Sequence, residues 1–129
     1  MNGGETMWIH RILILAVAIL AAAAARAHHS FAAEFLDDQT ATIEGVVTEV
    51  WFRNPHVRYY LEIETDTGKE NWDIRGKSPT SLIREGWTPK TIGEGDLISV
   101  HGHLGRDGRK LMSIISIRLP DGSTIRLEY

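Results

Sequence analysis

Gly95-Asp96-Leu97-Ile98-Ser99-Val100-His101-Gly102-His103-Leu104 is the stretch from which the fold is read, a Gly-Asp turn that launches a strand of alternating character. Side chains along a strand point to opposite faces with a period of two. Ile98, Val100, Gly102 and Leu104 are therefore expected on one face, and Ser99, His101 and His103 on the other. The first set can seal a core. The second presents two imidazoles side by side.

The segments before this strand fall into place around it. Ala41 to Phe52 is a long β-rich run whose alternation breaks at Gly45, where a bulge or sharp bend is expected. Arg53-Asn54-Pro55-His56 ends it, because proline has no N–H to give to a ladder. From Val57 to Glu64 the pattern puts Val57, Tyr59, Leu61 and Ile63 inward and Arg58, Tyr60, Glu62 and Glu64 outward. Asp66-Thr67-Gly68 reads as a hairpin turn into a return strand, Lys69 to Ile74, with Trp72 and Ile74 on the inner parity. The period then changes. Ser78 suits an N-cap, Pro79 the first helical position and Gly86 the residue past the end, which predicts about two turns of helix.

Beyond the opening strand, Gly105-Arg106-Asp107-Gly108-Arg109 reads as a hairpin loop. Lys110 to Leu119 is a strand with Leu111, Ile115 and Ile117 on one face and Met112, Ile114 and Arg118 on the other. Pro120-Asp121-Gly122 turns the chain into a last short strand, Ser123 to Leu127. The order predicts an all-β domain with one short helix, a small OB-like Greek-key barrel of five to six strands. A plain antiparallel sandwich is the alternative, but it gives no reason for the single helix.

The start of the 129-residue chain has a different character. Trp8-Ile9-His10-Arg11 precedes an apolar run from Ile12 to Leu20, alanines follow, and Ala25-Arg26-Ala27 closes it. This is the pattern of a signal peptide helix, with cleavage after Ala25 or Ala27. The apolar run falls short of the ~20 residues that a spanning helix needs, which disfavours a retained anchor. Met7 opens a more ordinary charged region than Met1, so translation starts at either. The expected organisation is a signal peptide over 1–27, a lead-in over 28–40 and a barrel over 41–129. That arrangement makes the protein periplasmic, with no membrane association after cleavage. Residues 28–129 hold 16 acidic and 12 basic residues, a net charge of −4. This argues against nucleic acid, whose binding rests on clustered positive charge. The chain has no cysteine, so neither a disulfide nor a thiolate metal site is available.

His28-His29-Ser30-Phe31-Ala32-Ala33-Glu34-Phe35, Asn54-Pro55-His56, Gly86-Trp87, Gly95-Asp96 with Val100 and Gly102, and Asp107-Gly108 occur in that order. In these elements the chain resembles small exported bacterial proteins grouped as a domain-of-unknown-function family, number 6152. The resemblance spans essentially all of residues 28–129. It implies export and a small β-barrel, and it carries no activity to transfer.

Three kinds of chemistry come into question for these residues. His28, His29, His56, His101 and His103 are candidate metal ligands, since neutral imidazole suits copper, zinc and nickel and two on one strand face can chelate. Copper is favoured, because cleavage after Ala27 frees an α-amine beside the His28 ring, and cleavage after Ala25 gives Arg26-Ala27-His28, whose nitrogens suit square-planar ions. The plainer reading makes His28 and His29 a solvated tail and His101 and His103 exposed strand residues. The second kind is a metal-free ligand surface. OB-type barrels bind through strands two and three and the loops after strands one and four. Arg53, Asn54, His56, Arg58, Tyr60, Arg106 and Arg109 occupy those places, and guanidinium pairs with carboxylate or phosphate. A protein partner or a small anionic ligand would fit there. The third kind, catalysis, finds no cysteine nucleophile, no Gly-x-Ser-x-Gly elbow and no phosphate-cradling loop before a helix. Trp51, Trp72 and Trp87 read as packing. A non-enzymatic binding or accessory module is expected.

Overall fold

The computed structural model describes residues 7–16 and 31–127. The chain divides into two compact units, residues 1–34 and 35–129. In the first, residues 7–16 form a helix and residues 31–34 a helical turn. No helix among the described residues is long and apolar enough to cross a membrane. The expected cleavage positions, and His28 and His29, lie outside the described residues.

The second unit holds six strands: β1 (Phe35–Trp51), β2 (Arg58–Thr65), β3 (Gly68–Arg75), β4 (Leu97–Gly105), β5 (Leu111–Arg118) and β6 (Thr124–Arg126). They form one sheet in the order β3-β2-β1-β4-β5-β6. A short parallel pairing, Asp73↔Leu111 to Arg75↔Ser113, joins β3 back to β5 and closes the first five strands into a ring. The helix Pro79–Arg84 lies between β3 and β4. This is the OB-like arrangement expected from the strand order.

The opening stretch does what its alternation predicts. Ile98 and Val100 are buried to 1% and 0% exposure, and Gly102 is buried beside them. Its Gly-Asp turn is stapled to the C-terminal part of β1, where Gly95 N–H donates to the Val47 carbonyl and Val47 N–H to the Asp96 carbonyl. The Asp96 carboxylate accepts from Gly93 N–H at 2.8 Å. Val57, Tyr59, Leu61, Ile74, Leu82, Met112, Ile114 and Ile117 complete the centre of the core. The Tyr59 hydroxyl has no hydrogen-bond partner there, and burial pushes its pKa well above the ordinary 10.0. Ser78 caps the helix by accepting from Ser81 N–H, Leu82 is its buried residue, and Gly86 follows at φ +91°.

Three local expectations differ from the structure. β1 begins at Phe35 instead of Ala41, because Phe35 is a core residue paired with Gly105; the pairing with β4 is irregular from there to Thr40. The irregularity in the β1–β2 pairing falls between Val47 and Glu49, not at Gly45. Gly45 instead permits contact with β2, since a Cβ there would lie 2.6 Å from the Glu62 carbonyl oxygen. In β5, the pairing steps from Ser116 to Ile114 against consecutive residues of β4. Ile115 is the extra residue, and the buried set becomes Leu111, Met112, Ser113, Ile114 and Ile117, drawn from both expected faces.

Candidate functional site

The outer faces of β2 and β3 carry the polar chemistry of the domain. Tyr59, Leu61 and Ile74 take the inner positions, so Arg58 and Tyr60 on β2 and Asp73 and Arg75 on β3 must point out. Register then sets their neighbours: Arg58 lies opposite Arg75 and Tyr60 opposite Asp73. Asp73 holds both arginines through one oxygen. Arg58 Nη1 donates to its Oδ2 at 3.3 Å and Arg75 Nε at 3.2 Å. Asp73 Oδ1 is buried and has no hydrogen-bond partner. All three side chains are half-buried.

On the other side of Arg58 stands Trp51, its register partner at the end of β1. The Arg58 guanidinium carbon is 5.7 Å from the Trp51 ring centroid, and that of Arg53 is only 4.0 Å away. Tyr60 meets the same ring edge-on, with centroids 5.4 Å apart and planes inclined by 72°. The indole N–H donates to the Glu49 carboxylate. Arg53 is exposed, and its guanidinium engages the Trp51 ring alone among the described residues. Cation–ring attraction strengthens as the pair is desolvated, so a half-buried Trp51 holds a guanidinium better than an open surface would. The cluster sets three guanidinium groups against the carboxylates of Asp73 and Glu49, which leaves it positively charged.

His56 is exposed at the end of the loop, with Nδ1 3.2 Å from the Gly76 carbonyl. A carbonyl only accepts, so Nδ1 carries the proton, and in the neutral ring Nε2 keeps the lone pair. Asn54 and Pro55, joined by a cis peptide, are exposed beside it. The loop after β4 approaches β3 from its other side: Asp73 N–H donates to the Lys110 carbonyl at 2.9 Å. Within that loop Arg109 Nε donates to the Arg106 carbonyl. The two loops thus adjoin the segment Asp73–Gly76 at its two ends.

Of the candidate ligand-binding residues, the structure brings Arg53, Arg58 and Tyr60 together around Trp51 and seats Asn54 and His56 on the adjoining loop. Arg106 and Arg109 belong to the second loop, and Arg109 bonds within that loop's own turn. Sequence reasoning missed Trp51, Asp73 and Arg75 as members. The signal was there in part, since Asp73 and Arg75 share the outward parity of β3.

The histidines of β4 take the outward face, as expected. His101 and His103 are half-buried, and His101 Nδ1 lies 3.1 Å from the Thr42 hydroxyl. His103 pairs with Ser113, which in turn pairs with Arg75. It therefore stands about 10 Å from the arginine cluster, two interstrand spacings round the ring. Among the described residues, no three of histidine, aspartate and glutamate converge as metal ligands. His56, His101 and His103 thus do not form a three-ligand site by themselves.

The profile of a family of unknown function (DUF6152) matches residues 16–113. No curated protein matches the sequence. Among solved structures, the chain is similar to TiaS in complex with an isoleucine tRNA and ATP, at 20% identity over 73% of this chain and 20% of that one, with a TM-score of 0.45. Apo TiaS, a tRNA agmatidine synthetase, matches at 20% identity over 63% of this chain and 18% of that one, with a TM-score of 0.43. The chain spans about a fifth of the length of these structures, and the likeness bears on neither ligand nor activity.

Proposed function

Because the chain belongs to the family of unknown function DUF6152, we propose a function from its site alone: an exported, non-enzymatic binding or accessory module of the periplasm. It docks a protein partner or an anionic ligand through the outer face of β2 and β3 and the loop 53–56, flanked by the loop 105–109. One observation carries this reading. The Arg53 guanidinium is held over Trp51 at 4.0 Å and engages no hydrogen bond or ion pair among the described residues. A planar fork of donors, held in place and left unused, is a recognition element for an oxyanion. The non-enzymatic reading is supported by the missing nucleophile motifs.

Cell fractionation with intact-mass measurement tests the export step. A periplasmic chain beginning at Arg26 or His28 is expected; a cytoplasmic chain that retains residues 1–27 refutes it. Binding of anionic probes by the same sample, lost on Arg53→Ala, tests the site.

A second reading keeps the metal. His101 and His103 share one outward face of β4, and a pair of imidazoles suits copper, with zinc or nickel as weaker fits. Titration of the exported chain with copper decides it. No uptake at micromolar metal removes this reading and leaves the module.

A further inference from the structure

We infer that the occupant of the Arg53–Trp51 face is a protein segment bearing carboxylate side chains, an inference that rests on the module reading above. The kind of surface argues for a protein. Arg53, Asn54, Pro55 and His56 are exposed, while Trp51, Arg58, Tyr60 and Arg75 are half-buried on the outer wall of the ring. This wall offers what protein interfaces use, since tryptophan, tyrosine and arginine are the residues in which binding energy concentrates.

Arrangement selects the chemistry within that class. The Trp51 ring is already engaged, with Arg53 4.0 Å and Arg58 5.7 Å from its centroid and Tyr60 in T-shaped contact with it. A sugar or base that stacks on the ring face held by Arg53 must first displace it. A carboxylate displaces nothing, because it meets the guanidinium in its own plane through two parallel N–H···O bonds. Asp73 shows how this surface receives such a group. Its Oδ2 takes one bond from Arg58 and one from Arg75, and the Arg58 guanidinium makes no other hydrogen bond or ion pair among the described residues. A glutamate or aspartate of the partner takes the Arg53 fork. The Arg53 fork is preorganised by stacking, so little side-chain entropy is lost on binding.

The test is fluorescence anisotropy with the chain as isolated from cells and a labelled ten-residue peptide alternating glutamate and alanine. A glutamine-for-glutamate peptide, alginate and inorganic phosphate serve as comparators. The glutamate peptide is expected to bind, to weaken as salt is raised, and to lose about fivefold or more in affinity on Arg53→Ala. Arg53→Lys is expected to restore only part of the loss, since lysine keeps the charge without the planar fork. Arg53 is exposed and outside the core, and the circular dichroism of both variants checks that the fold is kept. Equal binding of the glutamate and glutamine peptides, or unchanged affinity in both variants, overturns the inference. Arg53-dependent binding of alginate or phosphate without the peptide overturns the protein assignment and leaves the anion-binding module standing. Binding of no probe overturns both.

Discussion

Gly102 has no room for a side chain. A Cβ there would lie 2.2 Å from the Ser113 carbonyl oxygen and 2.7 Å from Met112 Cγ, and the first of these is backbone that cannot swing aside. Gly102→Ala is therefore expected to destabilise the domain by at least ~2 kcal/mol, through overpacking at a strand crossing. Equilibrium denaturation reads this directly, and a variant as stable as the parent refutes the contact. Among single residues, parity predicted which side chains face inward on β2 and β4, but not the company kept by those facing outward. Trp51 reads as packing in the sequence because a large apolar ring is normally buried. What makes it a platform is Arg53 two residues on and Arg58 opposite it, and the second neighbour exists only once β1 and β2 are in register.

Between elements, β3 and the start of β5 are tied by a charged clasp. Lys110 Nζ lies 2.9 Å from Glu70 Oε1 and over the Trp72 ring at 5.3 Å, while the Trp72 indole N–H donates to Glu70 Oε2 at 3.0 Å. These bonds favour the charged carboxylate, Lys110 foremost, and hold the Glu70 pKa below its ordinary 4.5. A pKa depressed by folding means that the stabilisation is present above the ordinary value and is lost as pH falls through the folded one. Lys110→Met is expected to move the Glu70 midpoint up towards 4.5 in side-chain NMR titration. Asp121, held low by the Ser123 hydroxyl and N–H, serves as the group that does not move. A Glu70 midpoint unchanged in the variant assigns the shift to the indole alone. The helix between Ser78 and Gly86 was legible because capping is local chemistry. The extra residue at Ile115 was not, because the isoleucine and methionine side chains between Met112 and Ile117 suit either face, and only pairing with β4 chooses.

For the molecule as a whole, the ring depends on three residue pairs between β3 and β5. Ile74 sits at the middle pair, with no exposed surface, facing Met112 on one side and Tyr59 on the other. Ile74→Ala is expected to cost ~3 kcal/mol, a large share of the stability of a domain this size. Its loss should appear in a single cooperative transition, because the cavity opens where β2, β3 and β5 meet. A loss near ~1 kcal/mol, or separate transitions by tryptophan fluorescence and circular dichroism, would show that the closing seam contributes little.

Local chemistry along the chain was enough to specify the strands, the turns between them and the capped helix, since periodicity, proline, glycine and capping act within a few residues. The same local pattern turns His101 and His103 away from the core. Long-range packing settled what lies beside what: the closure of β3 on β5, the return of Phe35 to the core, and the meeting of Trp51, Arg53, Arg58, Asp73 and Arg75 on one wall. Those neighbours come from three strands and a loop, and their contact is a property of register and closure that no local rule contains. The opening strand shows both sides of this division. Its alternation located the fourth strand, while the arginine cluster gathers around Trp51, four residues beyond the point on β1 to which its Gly-Asp turn is stapled.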